Sequence, residues 1–302
     1  MTKNKKLLAL LLALVVLAVS LTGCAATQKS DSANDLSPIP ANGRVVGTSV
    51  ATDEILDALG YENVVGVPHT DAFQIPDRYK NVKEIGSPMN PNMEIVKSLK
   101  PDIIFTPKSL EGQLKKGYDN AGIRSHFIDL ESTDGMFRSV LDMGKILGRE
   151  KQAAALNADY QNFKKELAQR HSTGKKPTVL ILMGLPGSFT VATESSYVGS
   201  LAKMAGFENV YGDGNGKDFM NVNTEDMLQK QPDIILRTSH AMPDKVKKMF
   251  ADEFKKNDIW KHFKAVQNNK VYDLDHEYFG MSARFNYKDA IAHLEQIANE
   301  NQ

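Results

Sequence analysis

Short apolar strands alternating with amphipathic helices at both ends of the chain, a proline-free helical stretch between them, and one phrase written twice predict an α/β protein. Its expected form is two Rossmann-like lobes joined by a single long spine helix, with a ligand cleft between them, because loops leaving parallel strands meet there. The repeated phrase is Glu, six residues, then Pro-Asp-Ile-Ile. It runs from Glu94 in GSPMNPNMEIVKSLKPDII (86–104) and from Glu225 in VNTEDMLQKQPDIILRTSHAMP (222–243). Its recurrence places one copy of the same helix–strand unit in each lobe.

The chain opens with Lys3, Lys5 and Lys6, an apolar run from Leu7 to Val19, and then Leu21-Thr22-Gly23-Cys24. A basic region, a short apolar region and small residues are the order of a secretory signal, here residues 1–23. The apolar run is too short to span a bilayer, which needs about 20 residues. Cys24 is the only cysteine, so no intramolecular disulfide forms, and an unpaired thiol is unexpected in an exported protein. Leu-Thr-Gly-Cys resembles the bacterial lipobox, which implies that Cys24 is lipidated and becomes the new N-terminus. Acyl chains at about 0.8 kcal/mol per buried CH₂ would hold it on the membrane.

The whole chain carries 37 basic and 37 acidic residues; removing 1–23 takes away three lysines and no acid, leaving 34 against 37. Nothing in that slight negative balance points to a nucleic-acid partner. Residues 24–43 are polar, small and proline-containing, and read as a flexible tether reaching about 24 Å.

The first lobe, 44–135, begins with RVVGT and a helix carrying Ile55, Leu56 and Leu59 on one face before Gly60. Strands follow at 64–68, 102–106 and 126–130, with helices at 91–99 and 109–120. Residues 136–171 contain no proline, and Gly148 is internal to a helical pattern. At about 1.5 Å per residue this is about 50 Å of helix, long enough to join two lobes. The second lobe, 172–302, resumes with strands at 178–184, 189–192, 233–238 and 271–275. Its helices fall at 197–205, 244–257 and 287–300.

From about Arg44 onward this pattern resembles the substrate-binding proteins of ABC importers, in the helical-backbone class that carries siderophores, heme or cobalamin. The segments GSPMNPNMEIVKSLKPDI and SHAMPDKVKKMFADEF resemble the heme-binding lipoproteins of iron-regulated surface determinant systems. The resemblance implies a monomeric carrier on the extracellular face of a Gram-positive cell membrane. It would receive heme from surface donor proteins and pass it to an ABC permease.

It also implies axial iron ligands at Met89 and His240, one from each lobe. A thioether is a weak, soft ligand and imidazole a stronger one, a pair suited to holding heme and later releasing it. Pro88 and Pro91 on either side of Met89 argue against burial in a regular element. His276 also follows a strand of the second lobe and stays open as a rival to His240. His69 belongs near the rim, and His126, His171, His262 and His293 read as ordinary surface or core imidazoles. Met242 reads as a packing methionine.

Residues Ser49, Val50, Ala51 and Thr52 begin a helix after the first strand and are candidates for the heme propionates through free N–H groups. Ordinary capping by Thr48 or Ser49 explains the same residues equally well. Tyr278, Phe279 and Met281 are candidate apolar walls. Glu94 and Glu225 are expected on the top of each lobe, where in the resembled class one glutamate per lobe meets arginines of the permease.

Other motifs fail. GDGNGKD (212–218) is not a calcium loop, since Lys217 stands at a ligand place, Asp218 where the turn glycine belongs, and Thr224 where the bidentate glutamate should be. There is no nucleophile elbow, H-E-x-x-H or P-loop, so the chain is not expected to be an enzyme. Two alternatives remain at this level: a ferric-siderophore carrier of the same fold, and an exported zinc hydrolase using His240, His276 and nearby acids.

Overall fold

The computed structural model describes residues 35–71, 73–172 and 175–301. The expected signal segment and Cys24 lie outside them. Strand β1 (Val45–Gly47) is fully buried and leads into helix α1 (Val50–Ala58), where Ser49 accepts the Thr52 N–H at 3.2 Å. Strand β2 (Val64–Gly66) follows, then a small hairpin of β3 (Gly86–Ser87) and β4 (Asn90–Pro91). Helix α2 (Met93–Leu99), strand β5 (Ile103–Pro107), helix α3 (Glu111–Asn120) and strand β6 (Ser125–Ile128) complete the N-terminal lobe. Its sheet is wholly parallel, in the order β2-β1-β5-β6.

The expected single helix over 136–171 is instead two: α4 (Thr133–Leu147) and α5 (Glu150–Arg170). Gly148 ends α4 in the left-handed region at φ 63°, where glycine carries no Cβ penalty. The chain then folds back. Phe137 of α4 stacks on Tyr160 of α5 at 4.1 Å between centroids and 6° between planes, and Tyr160 donates to Asp134 at 2.8 Å. The turn is invisible to helical periodicity because the apolar residues keep their spacing on both sides of it.

The C-terminal lobe opens with β7 (Thr178–Leu185) and β8 (Ser188–Ala192), an antiparallel pair, followed by α6 (Tyr197–Met204), β9 (Glu208–Asn209) and β10 (Phe219–Met220). Helix α7 (Thr224–Lys230) precedes β11 (Ile234–Ser239), and α8 (Pro243–Lys256), α9 (Lys264–Gln267), β12 (Val271–Asp273) and α10 (Tyr287–Asn299) end the chain. The sheet runs β10-β8-β7-β11-β12, with β9 beside β7; β8 is antiparallel to both its neighbours, β10 and β7, and the remaining pairs are parallel.

The lobes share apolar packing. One continuous cluster takes in Val45, Phe105, Phe137, Tyr160, Val179, Leu201 and Leu294, so residues of both sheets bury against the same helices. Polar links reinforce it: Lys288 of α10 bonds Asp159 of α5 at 2.7 Å, and Glu295 accepts from His171 at 2.8 Å. No helix among the described residues is long and apolar enough to cross a membrane.

The expected tether over 24–43 is not free along its whole length. Leu36 and Ile39 pack on the core, Ile39 N–H donates to Ile146 O at 2.9 Å, and Arg124 donates to the Ser37 carbonyl at 2.7 Å. Two apolar anchors in a polar stretch suffice to dock residues 35–43.

The doubled phrase has a common structural reason. Asn92 and Asn223 cap the two seven-residue helices, and Lys100 and Gln231 end them in the left-handed region. Pro101 and Pro232 forbid continuation. Asp102 then accepts the Arg44 N–H at 2.7 Å and Asp233 the Thr178 N–H at 2.9 Å, pinning the entry of the neighbouring strand in each lobe. Neither Glu94 nor Glu225 takes part: both are exposed, with no ion-pair partner among the described residues.

Candidate functional site

Met89 sits at the tip of a two-residue turn. Ser87 pairs with Asn90, leaving Pro88 and Met89 as the turn residues, and the Gln113 side chain donates to the Met89 carbonyl at 2.7 Å. The thioether is 59% exposed, which for a large apolar side chain is an unpaired cost unless something covers it. It faces a cleft of about 470 Å³ lined from both lobes.

His240 lines the same cleft from the other side. It is the first residue beyond β11, and its N–H donates to Gly184 O at 3.1 Å, which fixes the backbone as the strand ends. The residue is exposed at the cleft, but the surrounding protein atoms desolvate the ring and lower its pKa. The imidazole is therefore neutral near pH 7, with a lone pair to donate. His276 lines the cleft too, with Nδ1 3.3 Å from Asp275 and its ring 6.0 Å from Phe73. His240 has no such side-chain partner among the described residues. His69 pairs with Glu84 at 2.8 Å and is outside the lining.

Ser49, Val50 and Ala51 line the cleft at the start of α1. No described residue accepts from the Val50 or Ala51 N–H, as the first turn of a helix dictates. Asp53 would ordinarily offset this positive helix end. It is fully buried behind Gly47, where a Cβ would fall 1.9 Å from its Oδ1. Burial, with Glu54 adding, pushes its pKa well above the usual carboxylate value, which favours the uncharged form. The N-terminus of α1 thus keeps its attraction for an anion in the cleft.

Two expected pocket residues are not in the lining. Thr52 is fully buried and bonds Ser49 at 2.8 Å; Phe279 lies in the core, its carbonyl accepting from Thr238 at 2.6 Å. Each is one position past a cleft-lining neighbour, and the helix or turn rotates it inward. Tyr278 and Met281 do line the cleft. Met242 is not a packing residue: it is 54% exposed, in the left-handed region at φ 49°, ahead of Pro243 at the start of α8.

The sequence reading overlooked Phe73, Glu131, Asp218 and Arg284, all in the lining. Asp218 ends the glycine-rich loop dismissed as a calcium site. Burial first, then the charges of Glu131 and Asp129, push its pKa up to about 6. A carboxyl raised in the folded state destabilises that state when ionised, so stability is gained as pH falls through about 6. Asp218→Asn is therefore expected to raise the melting temperature at pH 7.5 by roughly 2–4 °C, and to give almost no gain at about pH 4, where the unfolded-state carboxyl is protonated as well. Thermal melts at the two pH values check this.

Residues 45–278 match the family described as periplasmic binding proteins. The high-affinity heme uptake system protein IsdE of Staphylococcus aureus strain Newman is 42% identical over 282 residues, covering 93% of this chain and 94% of that protein. Among solved structures, an ABC transporter substrate-binding protein from Listeria monocytogenes EGD-e is 44% identical with a TM-score of 0.80, covering 86% of this chain and 99% of that one. Staphylococcus aureus IsdE complexed with heme is 43% identical with a TM-score of 0.79, covering 85% and 98%. The vitamin B12 binding protein BtuF of Vibrio cholerae shares the fold at 15% identity, with a TM-score of 0.68 over 86% and 98%.

Proposed function

The chain belongs to the periplasmic binding protein family, and from that premise we propose that it binds heme in the interlobe cleft and delivers it to an ABC permease. Its family members are transport proteins rather than enzymes, so the zinc-hydrolase alternative falls away. The observation that carries the proposal is the pairing across one cleft of an exposed thioether, Met89, with a neutral imidazole, His240. A flat macrocycle offers its iron two opposite axial positions, and the donors come from opposite lobes. The free N–H groups of Val50 and Ala51 suit a propionate, and Pro88, Tyr278 and Met281 supply apolar contact. A ferric siderophore would favour cationic ligands, but the one arginine in the lining, Arg284, is already paired with Glu54.

Titration of the purified protein with hemin tests the reading. A Soret band saturating at one equivalent, with low-spin visible bands, is the expected outcome. A protein that leaves the hemin spectrum unchanged while binding a ferric siderophore would overturn it.

Anchoring through a lipid on Cys24, at the outer face of the membrane, belongs to the same proposal, as do surface heme donors and a monomeric state. Cys24→Ala is expected to move the protein from the membrane fraction to the medium, read by immunoblot. Retention in the membrane fraction after signal removal would refute the lipid anchor.

A further inference from the structure

Arg284 precedes α10 in the C-terminal lobe, yet its guanidinium is built into the other lobe. Nε and Nη2 both donate to Oε1 of Glu54 on α1, at 3.0 and 2.5 Å. The remaining nitrogen, Nη1, donates to Glu277 O of its own lobe at 3.2 Å. The two Glu54 contacts are made where water is scarce, since the two side chains are 16% and 19% exposed. The flat face lies 4.5 Å from the centroid of Phe73, on an N-terminal-lobe loop, and Phe73 in turn lies 6.0 Å from His276 of the C-terminal lobe. The residue before it crosses as well, with Ala283 N–H donating to Leu130 O at 2.8 Å.

Glu54, Arg284, Phe73 and His276 therefore form four layers that alternate between the lobes at one end of the cleft. A planar guanidinium is suited to this position, because it can make forked bonds at its edge and stack on a ring with its face. The carboxylate opposite removes its net charge, which makes it a poor partner for a ligand carboxylate but a strong strut. A pair buried this far resists separation, since either charge left alone would be costly.

We propose that Arg284 is a positioning residue that sets the spacing of the two lobes across the cleft, and with it the distance over which Met89 and His240 can both reach one iron. The second half rests on the heme reading above; the first half does not.

Arg284→Lys keeps a cation near Glu54 but loses the fork and the flat face, and Phe73→Leu removes the middle layer from a loop without touching the ion pair. Spin labels on Lys116→Cys and Lys245→Cys, in a Cys24→Ala chain, measure lobe separation without ligand by pulsed dipolar spectroscopy. Both variants are expected to widen that distance distribution, and an unchanged distribution in both overturns the proposal whatever the ligand proves to be. With hemin bound, both are expected to lower the six-coordinate to five-coordinate ratio about tenfold, alongside Met89→Ala as a reference. If Met89→Ala leaves the spectrum unchanged, the heme-ligand reading fails while the strut is still judged by the labels. If Met89→Ala shifts the spectrum and neither variant does, the link from lobe spacing to ligation fails. Heme dimethyl ester separates the strut from direct recognition: an affinity loss seen with the free acid alone would make Arg284 a propionate partner and overturn its positioning role.

Discussion

His240→Ala loses heme: the expected result is a drop in affinity of about 100-fold, or about 2.8 kcal/mol, measured by transfer of heme to apomyoglobin. Imidazole is the stronger of the two proposed donors, and the cleft has already lowered its pKa, so the protein binds it to iron without first removing a proton. The same shift predicts the pH profile. Heme retention should persist as pH falls through the range where an ordinary imidazole protonates, and fail only below it. Met89→Ala should act more weakly, leaving heme bound through His240 but moving the iron towards a five-coordinate, high-spin spectrum. His276 lines the same cleft, and so it is the control. If His276→Ala changed the low-spin spectrum while His240→Ala and Met89→Ala did not, the axial pair would have to be reassigned.

Charge reversal at both exposed glutamates, Glu94→Lys with Glu225→Lys, is expected to abolish heme uptake by cells while leaving the hemin spectrum and melting temperature of the purified protein unchanged. The structure accounts for every other part of the doubled phrase. The asparagines cap, the prolines stop the helices, and the aspartates hold the next strand. The glutamates alone are left exposed and unbonded at equivalent places. Their interaction with the helix dipole is worth about 0.3–1 kcal/mol, too little to unfold either lobe when reversed. A loss of uptake would then report contact with the permease, whose cationic groups a lysine would repel. Normal uptake by the double variant would return both residues to the role of helix-end acids.

Much of the architecture was legible in local patterns. Strand and helix positions followed from apolar runs and periodicity, and the α/β class with its shared ABC-carrier fold stands. Met89 between prolines and His240 beyond a strand were recognisable as unusual residues in unusual settings, and the fold brings both to one cleft. Errors came where neighbours in sequence diverge in space. A turn or helix rotates by roughly 100° per residue, so Thr52 and Phe279 go into the core while Ala51 and Tyr278 reach the cleft. The break at Gly148 was hidden because a helical hairpin and one straight helix share the same apolar spacing.

The sequence by itself determined the order of elements, the repeated capped helix and clamped strand, and the donor types available for a ligand. These depend on propensities, caps and periodicities that act over a few residues. Only the tertiary structure decided which side chains share the cleft and what holds its walls apart. Glu54 and Arg284 lie 230 positions apart, Asp218 has its pKa raised by burial first and then by acids of the opposite lobe, and Asp53 has its pKa raised because a strand glycine lets it sink into the core. Each of these depends on burial and on charges brought close by folding, and electrostatic energy in a poorly solvated site is set by distance in space, which local sequence does not encode.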